Sequence, residues 1–383
     1  MVTVGIAGLT GGTFVYTTLL AVSLLAFSVA WHEAVAGEPV TPQDMAVSQP
    51  RGLSPVEHAS GSVGVKIIRI AVPERGSEMD VTLWYPAAGP GRSVLVGDGS
   101  PLFQGTAAMA EAPMAGGRRP LIVLSQGGLR SGPNIGAWMA SRLAGSGFMV
   151  AMLRQPDPKR LTEEQTLPEI WLRPADVSAA LTAILGDGAL SPLIETKQIG
   201  VLGFQIGGTA ALALAGGLLD VASVKASCDA GGIGVDCGRL RKAGLDLHTI
   251  SLPPLGRSNA DPRVKAIAVI DPEFSRSFTQ ASLAGISIPV RLINLGKLET
   301  IWPGLNAEGA TRAIPRAQYS VIPDAVQYSA FPECKPGVSA VLREDGEEAL
   351  CDDTIGGRSR AEIHDALARM VATTFRSDFA CSR

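Results

Sequence analysis

A strand that turns directly into a helix constrains the fold of this chain more than any other feature. Residues 198–215 begin with the apolar strand Ile199–Leu202, pass through a glycine-rich corner and continue as an alanine- and leucine-rich helix. In such a tight unit the strand and the helix nearly touch, so small residues are needed two positions before and after the apex. Gly203 and Gly207 stand there, on either side of Gln205. The pattern predicts a buried strand that presents Gln205 where the strand ends.

Apolar strands alternate with helical patterns along the rest of the chain. Strands are predicted at Val65–Val72, Met79–Tyr85, Pro120–Ser125, Phe148–Leu153, Val264–Ile270, Val290–Leu295 and Tyr319–Ile322, and helices at 134–146, 173–185, from the corner to about Leu219, and 358–375. This alternation implies an α/β fold with a doubly wound, mostly parallel sheet and helices on both faces. The first two strands form an antiparallel hairpin, and residues 87–118 are predicted to be a surface insertion.

The beginning of the chain differs in composition from the rest. Residues 14–31 carry no charge and an A-x-A cleavage sequence follows, which indicates a secretory signal peptide over residues 1–36. No Lys or Arg precedes the apolar run, so a retained N-terminal membrane anchor is the alternative. Residues 37–61 are predicted to be a linker, and residues 62–383 a single α/β domain. We therefore expect a secreted or periplasmic protein.

Charge and aromatic content exclude two classes of partner. The net charge is −3 and aromatic residues make up 5% of the chain. The protein therefore has neither an overall positive charge to attract phosphates nor many rings on which bases stack. We expect no nucleic-acid partner, and membrane contact only through an uncleaved N-terminal segment.

Five cysteines lie in the second half of the chain. Cys228 and Cys237 are 9 positions apart and Cys334 and Cys351 are 17 apart, each pair in loop-like sequence. In an exported protein these spacings predict two local disulfides and leave Cys381 over, whereas five free thiols are the alternative. Because no C-x-x-C spacing occurs, we expect no zinc site, and we expect no other metal or cofactor.

The corner at Gln205 has the sequence setting of a nucleophile elbow, G-x-S-x-G, in which a strained turn presents a serine. An amide is not a nucleophile, and it does not become one by losing a proton at neutral pH. The chain therefore has the frame of an esterase without the reactive atom.

Six segments share their order and spacing with a known family. They are Leu83–Ala87, Leu124–Gly128, Gly203–Gly208, Ile270–Pro272, Gly296–Asn306 and the loop between Cys334 and Cys351. Together they resemble the secreted, dienelactone-hydrolase-like branch of the α/β-hydrolases, which is akin to the platelet-activating-factor acetylhydrolases. The resemblance covers most of residues 62–376 and implies ester-hydrolase ancestry.

The chain departs from that family at the chemical positions. The family motifs read approximately Ser-His-Gly, Gly-His-Ser-x-Gly-Gly and a late Gly-x-His. Here Gln126 stands at the first histidine, Phe204 and Gln205 stand at His-Ser, and Gln327 stands at the base histidine. The resemblance therefore implies that the nucleophile and base positions of a Ser-His hydrolase are both occupied by glutamine.

The acid has two candidate positions, and the backbone donors of an oxyanion hole are expected to remain. Asp271 matches the acetylhydrolase-like acid, and Glu299, after the next strand, matches the dienelactone-hydrolase-like acid. The amide of Ile206 and one from the loop around Gln126 and Gly127 would form the oxyanion hole. Such donors, lined by glutamine amides, suit a small carbonyl or carboxylate ligand that is bound without being cleaved. The alternative is that the glutamines fill polar space and hydrogen-bond one another.

An active ester or lactone hydrolase with another nucleophile and base is the competing hypothesis. His248, in the irregular segment 238–262, is the histidine to test, because His364 is expected at the surface or core edge of the closing helix. Ser125 and Thr209 are interpreted as structural, the serine satisfying backbone groups and the threonine acting as a donor at the helix start. Without a neighbouring base, a serine hydroxyl stays protonated and reacts slowly.

Overall fold

The computed structural model describes residues 62–229, 234–344, 350–352 and 357–380. The predicted leader and linker, together with Cys381, lie outside these residues. No helix in the described ranges combines the length and the apolar content needed to cross a membrane.

The described strands form a single mixed sheet. They are β1 (Val63–Val72), β2 (Ser77–Pro86), β3 (Arg92–Val96), β4 (Thr106–Ala110), β5 (Arg119–Ser125), β6 (Met149–Leu153), β7 (Ile194–Phe204), β8 (Ala266–Ile270), β9 (Val290–Leu295) and β10 (Ala317–Ile322). Their order in the sheet is β10-β9-β8-β7-β5-β6-β2-β1-β4-β3. The six strands from β10 to β6 are parallel, while β1 and β2 form the expected antiparallel hairpin. The predicted doubly wound, mostly parallel sheet is confirmed.

Residues 87–118 are not the surface insertion expected from their composition. They supply β3 and β4, which extend the sheet beyond β1. Strand β4 pairs in parallel with β1 at Gly64–Met109 and Val65–Ala110, and β3 pairs with β4 in the antiparallel direction. Strand β4 reads Thr-Ala-Ala-Met-Ala and has few of the β-branched residues that mark a strand. Its pairing with β1, rather than its composition, makes it a strand.

Helices cover both faces of the sheet, as predicted. They are α1 (Ala137–Gly145), α2 (Glu163–Thr166), α3 (Glu169–Gly186), α4 (Ile206–Leu214), α5 (Val221–Ala226), α6 (Cys237–Lys242), α7 (Gln280–Ala284), α8 (Glu308–Ala313), α9 (Val338–Glu344) and α10 (Arg360–Ala380). Strand β5 alternates between two cores: Leu121 packs with α3 and α4, whereas Ile122 packs with α1 and α10. Helix α3 begins one turn earlier than expected, and α4 ends at Leu214 rather than near Leu219.

Both predicted disulfides are present. Cys228 and Cys237 join the end of α5 to the start of α6, with their Cα atoms 5.1 Å apart. Cys334 and Cys351 join the segments on either side of α9, with their Cα atoms 5.9 Å apart. The alternative of five free thiols is therefore wrong.

The strand order reverses at the centre of the sheet. From β5 the chain passes to β6 on one side, and it then returns to β7 on the other side of β5. Ligands of open α/β sheets bind at such a reversal, outside the carboxyl ends of the strands. In this protein those ends lead directly into Gln126, after β5, and Gln205, after β7.

Candidate functional site

The elbow keeps its strained shape although its apex is a glutamine. Gln205 has φ +50° and ψ −118°, a conformation that residues other than glycine rarely adopt. Its N–H donates to the carbonyl of Ile270 at 3.0 Å, and its carbonyl accepts from the N–H groups of Gly208 at 2.9 Å and Thr209 at 3.1 Å. These bonds fix the turn from three sides, as is needed for a strained backbone to persist.

The two glycines around the apex are sterically required. A Cβ on Gly203 would overlap the carbonyl of Gly207, and a Cβ on Gly207 would overlap the carbonyl of Ser125. The close approach of strand and helix that the sequence pattern predicted is therefore present, and it also brings α4 against the end of β5.

Three of the predicted chemical positions meet at one small cavity. Gln205, Asp271 and Gln327 all line it, and Gly127 contributes backbone. Its volume is about 10 Å³, which is close to the space that one water molecule needs. Residues from β7, from β8 and from the loop after β10 therefore converge, because parallel strands end at the same edge of the sheet.

The side-chain amides of Gln205 and Gln327 are free to hydrogen-bond a ligand. Neither side chain hydrogen-bonds another residue within the described ranges, and in particular they do not bond each other. The interpretation in which the glutamines satisfy one another is therefore wrong. An amide with no partner in the protein offers two N–H donors and a carbonyl acceptor to a ligand.

Gln126 differs, because its side chain is fully used by the fold. Its Nε2 donates to the carbonyls of Pro133 at 2.6 Å and Leu153 at 3.0 Å, and its Oε1 accepts from the N–H of Gly136 at 2.5 Å. These bonds tie the loop after β5 to the end of β6 and the start of α1. The expectation that the Gln126 side chain contributes to ligand binding is therefore wrong.

A buried guanidinium orients the loop after β5. Arg173 of α3 donates to the carbonyls of Gln126 at 3.0 Å, of Gly127, and of Gly128 at 3.1 Å. In a trans peptide the N–H points away from the carbonyl that precedes it. The N–H groups of Gly127 and Gly128 are therefore directed away from Arg173.

The backbone donors that the sequence assigned to an oxyanion hole are partly available. The N–H of Gly128 donates to Ser131 Oγ at 3.0 Å and is thereby occupied. The N–H of Ile206 has no acceptor among the described residues, as is usual for the first N–H groups of a helix. Ile206 and Gly127 thus keep the positions assigned to them from the sequence, with Gly127 lining the small cavity.

Asp271, and not Glu299, is the carboxyl group at the site. Asp271 is 2% exposed; its Oδ1 accepts from Asn294 Nδ2 at 2.7 Å and from the N–H of Leu295 at 3.0 Å, while Oδ2 has no partner. Burial raises the pKa of Asp271 to about 7, although these two hydrogen bonds oppose the shift. Glu299 is exposed in the loop after β9 and lines neither cavity beside Asp271, so the geometry favours Asp271 over Glu299 as the acid position.

A second buried carboxyl group, Glu273, was not predicted. Its Oε1 atom has no hydrogen-bond partner within the described residues. This atom lies 2.7 Å from the position that a Cβ on Gly128 would take, and Oε1 of Gln205 lies 3.0 Å from the same position. Burial and the neighbouring Asp236 raise the pKa of Glu273 to about 8 against the pull of nearby arginines. Its position just after the end of β8 was the feature of the sequence from which it could have been predicted as a site residue.

A larger cavity adjoins the small one. Its volume is about 580 Å³, and Asp271 and Gln327 line both cavities. Its remaining walls come from the loops after β9 and β10. The wall formed by Asp271 and Gln327 thus separates a space that fits one water from a space that fits a small organic molecule.

Neither His248 nor His364 lines the small cavity. His248 is half exposed, and its Nε2 lies 2.6 Å from Asp229 Oδ1. His364 is 1% exposed, which corrects the expectation of a surface or core-edge residue, and its ring stacks on Trp138 with centroids 3.6 Å apart. No hydroxyl or thiol bonds a histidine ring within the described ranges. The competing hypothesis of another nucleophile–base pair therefore has no support in this geometry.

The two hydroxyl groups near the elbow behave differently. Thr209 Oγ1 donates to the carbonyl of Glu273 and lies 3.4 Å from that of Gln205, in keeping with the expected structural role at the helix start. Ser125 Oγ is buried without a hydrogen-bond partner in the described ranges, so the expectation that it satisfies backbone groups is wrong.

Comparisons with known proteins agree with the fold. No protein-family model matches the chain, and no curated protein matches it. Among solved structures, a ferulic acid esterase from Streptomyces cinnamoneus superposes with a TM-score of 0.54 at 21% identity, over 85% of this chain and 92% of the esterase. A dienelactone hydrolase from Anabaena variabilis gives 0.38 at 16% identity, over 75% of this chain and 96% of the hydrolase, which is too loose to support an argument. The chain has the α/β-hydrolase fold.

Proposed function

We propose that this is an exported protein of ester-hydrolase ancestry that binds a small carbonyl or carboxylate compound without cleaving it. One observation carries the proposal. Gln205 and Gln327, which the resemblance assigns to the nucleophile and base positions, line one cavity beside Asp271, and their side chains make no hydrogen bonds within the described residues.

The absence of hydrolysis follows from the chemistry of these groups. Ester cleavage by this fold needs a nucleophile and a base that removes its proton. Gln205 has no ionisable proton at neutral pH, and Gln327 does not accept one. An oxyanion hole alone leaves only a small part of the rate acceleration of a complete triad.

Binding is favoured by the same groups. A carbonyl or carboxylate oxygen accepts hydrogen bonds, and the side-chain N–H groups of Gln205 and Gln327 and the N–H of Ile206 are donors without an acceptor in the described protein. Because the two glutamines are only partly buried, their amides are open to a ligand that supplies an acceptor. The superposition on a ferulic acid esterase supports the ester-hydrolase ancestry through the fold.

Export is supported by the cysteines and by the first residues of the chain. Two disulfides are expected in a protein that folds in an oxidising compartment. The uncharged run at 14–31 followed by the A-x-A sequence fits a signal peptide. An N-terminal anchor would hold the same domain at a membrane surface in the same compartment.

The direct test is an esterase assay of the purified protein with p-nitrophenyl acetate and butyrate, together with labelling by a fluorophosphonate probe. We expect neither turnover above the blank nor labelling. Thermal-shift measurements with small esters and carboxylic acids should show stabilisation that is lost in Gln205→Leu. Turnover that His248→Ala abolishes would contradict the proposal, and it would instead establish a hydrolase with a different base.

A reverse experiment examines the ancestry. The double variant Gln205→Ser with Gln327→His should gain fluorophosphonate labelling, whereas each single variant should gain much less because nucleophile and base act together. In the double variant, Asp271→Asn should remove the gain and Glu299→Gln should not. A folded double variant that stays inert would show that Gln327 is not at the base position.

A further inference from the structure

The larger cavity beside Asp271 and Gln327 is shaped for an apolar body. Its volume of about 580 Å³ lies within the usual range of small-molecule sites. Most of its lining is apolar, contributed by residues such as Ile301, Leu305 and Val326. Trp302 lies at its rim and is 42% exposed, an uncommon degree for so large an aromatic side chain.

Polar groups without partners line the same cavity. Asp271 is 2% exposed and its Oδ2 makes no hydrogen bond, while the Gln327 amide has no partner within the described ranges. Oδ1 of Asp271 is held by Asn294 and Leu295, so the carboxyl group cannot turn away without breaking these bonds. The cavity therefore combines apolar walls with a fixed carboxyl group and a free amide.

The charge of the lining narrows the class of ligand. Lys297 is the only cationic side chain in this lining, and Asp271 is its only carboxyl group. The Lys297 ammonium attracts a carboxylate and repels an amine. A sugar fits poorly, because the apolar walls cannot pair with many hydroxyl groups.

We propose that this cavity binds a small monocarboxylic acid with an aromatic body, whose ring packs against Trp302 and whose carboxyl group pairs with Gln327 and Asp271. The inference rests on the proposed function and assigns a ligand class and a location to it. The body of the ligand lies in the larger cavity, and its carboxyl group meets the two side chains, Asp271 and Gln327, that this cavity shares with the small cavity beside Gln205.

A neighbouring cavity is a weaker candidate for this ligand. It has a volume of about 450 Å³ and lies between the β3–β4 turn and the loop before α1. It shares only Ile135 with the small cavity, and it includes none of Gln205, Asp271 and Gln327. A ligand there would leave the unpartnered groups of the site unpaired.

Ligand binding is expected to weaken above neutral pH. When Asp271 is protonated it donates to a carboxylate, and when it is ionised it repels one. Asn294 within β9 bonds Asp271 directly, Tyr319 within β10 interacts with its charge, Lys297 from the loop after β9 shares the lining of the cavity, and Glu273 lies two positions along the chain. Tyr319 stays neutral because its pKa is raised to about 12, and Glu273 lines neither cavity.

The test is calorimetric titration of the full-length protein with benzoate and 3-phenylpropionate, with 2-phenylethylammonium as the cationic comparator. We expect the acids to bind and the amine not to bind. Trp302→Ala should weaken acid binding by about tenfold. Leu298→Ala is the matched control, since Leu298 is an exposed neighbour outside the lining and its removal should change nothing.

The pH profile supplies a second readout. Affinity for benzoate should fall by about tenfold or more between about pH 6 and about pH 8 in the wild type. It should be nearly independent of pH in Asp271→Asn, whose amide cannot ionise. A cavity with a merely structural Asp271 would show the same pH profile in both proteins.

The outcomes separate this inference from the proposed function. Acid binding that is lost in Gln205→Leu but unchanged in Trp302→Ala would keep the proposed function and overturn the cavity assigned here. Tighter binding of the amine than of the acids would overturn the ligand class. Hydrolysis of p-nitrophenyl esters would overturn the proposed function itself, whichever acid binds.

Discussion

Replacing Asp271 by asparagine should change how the stability of the protein depends on pH. Burial raises the pKa of Asp271 from 3.8 to about 7 in the folded protein. Between these two values the folded protein keeps the proton that the unfolded chain releases. The stabilising contribution is therefore complete below about pH 4 and is lost as the pH rises through about 7.

The size of the effect follows from the shift. Each unit of pKa difference corresponds to about 1.4 kcal/mol, so a shift of about 3 units amounts to on the order of 4 kcal/mol. The amide introduced by Asp271→Asn has no charged form. The difference in the free energy of unfolding, Asp271→Asn minus wild type, should therefore increase by on the order of 4 kcal/mol between about pH 4 and about pH 8.

Urea denaturation at several pH values measures this difference. The two proteins must be compared because Glu273, whose pKa is also raised, lowers the free energy of unfolding of both as the pH rises. Only the difference between them reports on Asp271. Glu299→Gln is the control, because that carboxylate is exposed and solvated before and after unfolding. Parallel stability curves for the wild type and Asp271→Asn would refute the assignment of a buried, protonated carboxyl group.

Three further variants test the elbow and the disulfides by urea denaturation. Gln205→Gly should stabilise the protein by about 1 kcal/mol, because the strain of φ +50° outweighs the extra chain entropy of glycine; a loss of stability would contradict this. Gly203→Ala should destabilise by about 3 kcal/mol or prevent folding, whereas Gly238→Ala, with nothing near its Cβ position, should not; equal effects would argue against the close contact. Removing the Cys334–Cys351 bridge by double Ser substitution should cost about 3 kcal/mol, and an unchanged midpoint would argue against the bridge.

The parts predicted well from the sequence depend on local patterns and on one topological rule. Gly203 and Gly207 marked the elbow, and apolar runs marked the central strands. Because parallel strands end at one edge, Gln205, Asp271 and Gln327 were expected near one another, and they do line one cavity. A local pattern suffices where neighbouring residues in the chain determine the outcome.

The errors concern residues whose partners are distant in the chain. The side-chain amide of Gln126 is fully hydrogen-bonded to backbone groups of Pro133, Gly136 and Leu153. The sequence alone does not show which backbone groups will face it. Likewise, β4 becomes a strand only because β1 offers it an edge.

The ring stack of Phe204, Trp138 and His364 bears on the order in which the protein can be assembled. Trp138 stacks with each of the other two rings, and the carbonyls of Ser329 and Phe331 both lie 2.9 Å from His364 Nε2. The loop that carries the base position is therefore anchored by the last helix. A chain emerging from its amino end contains every described strand before this helix, so the loop at 329–331 gains its anchor only after the sheet can form.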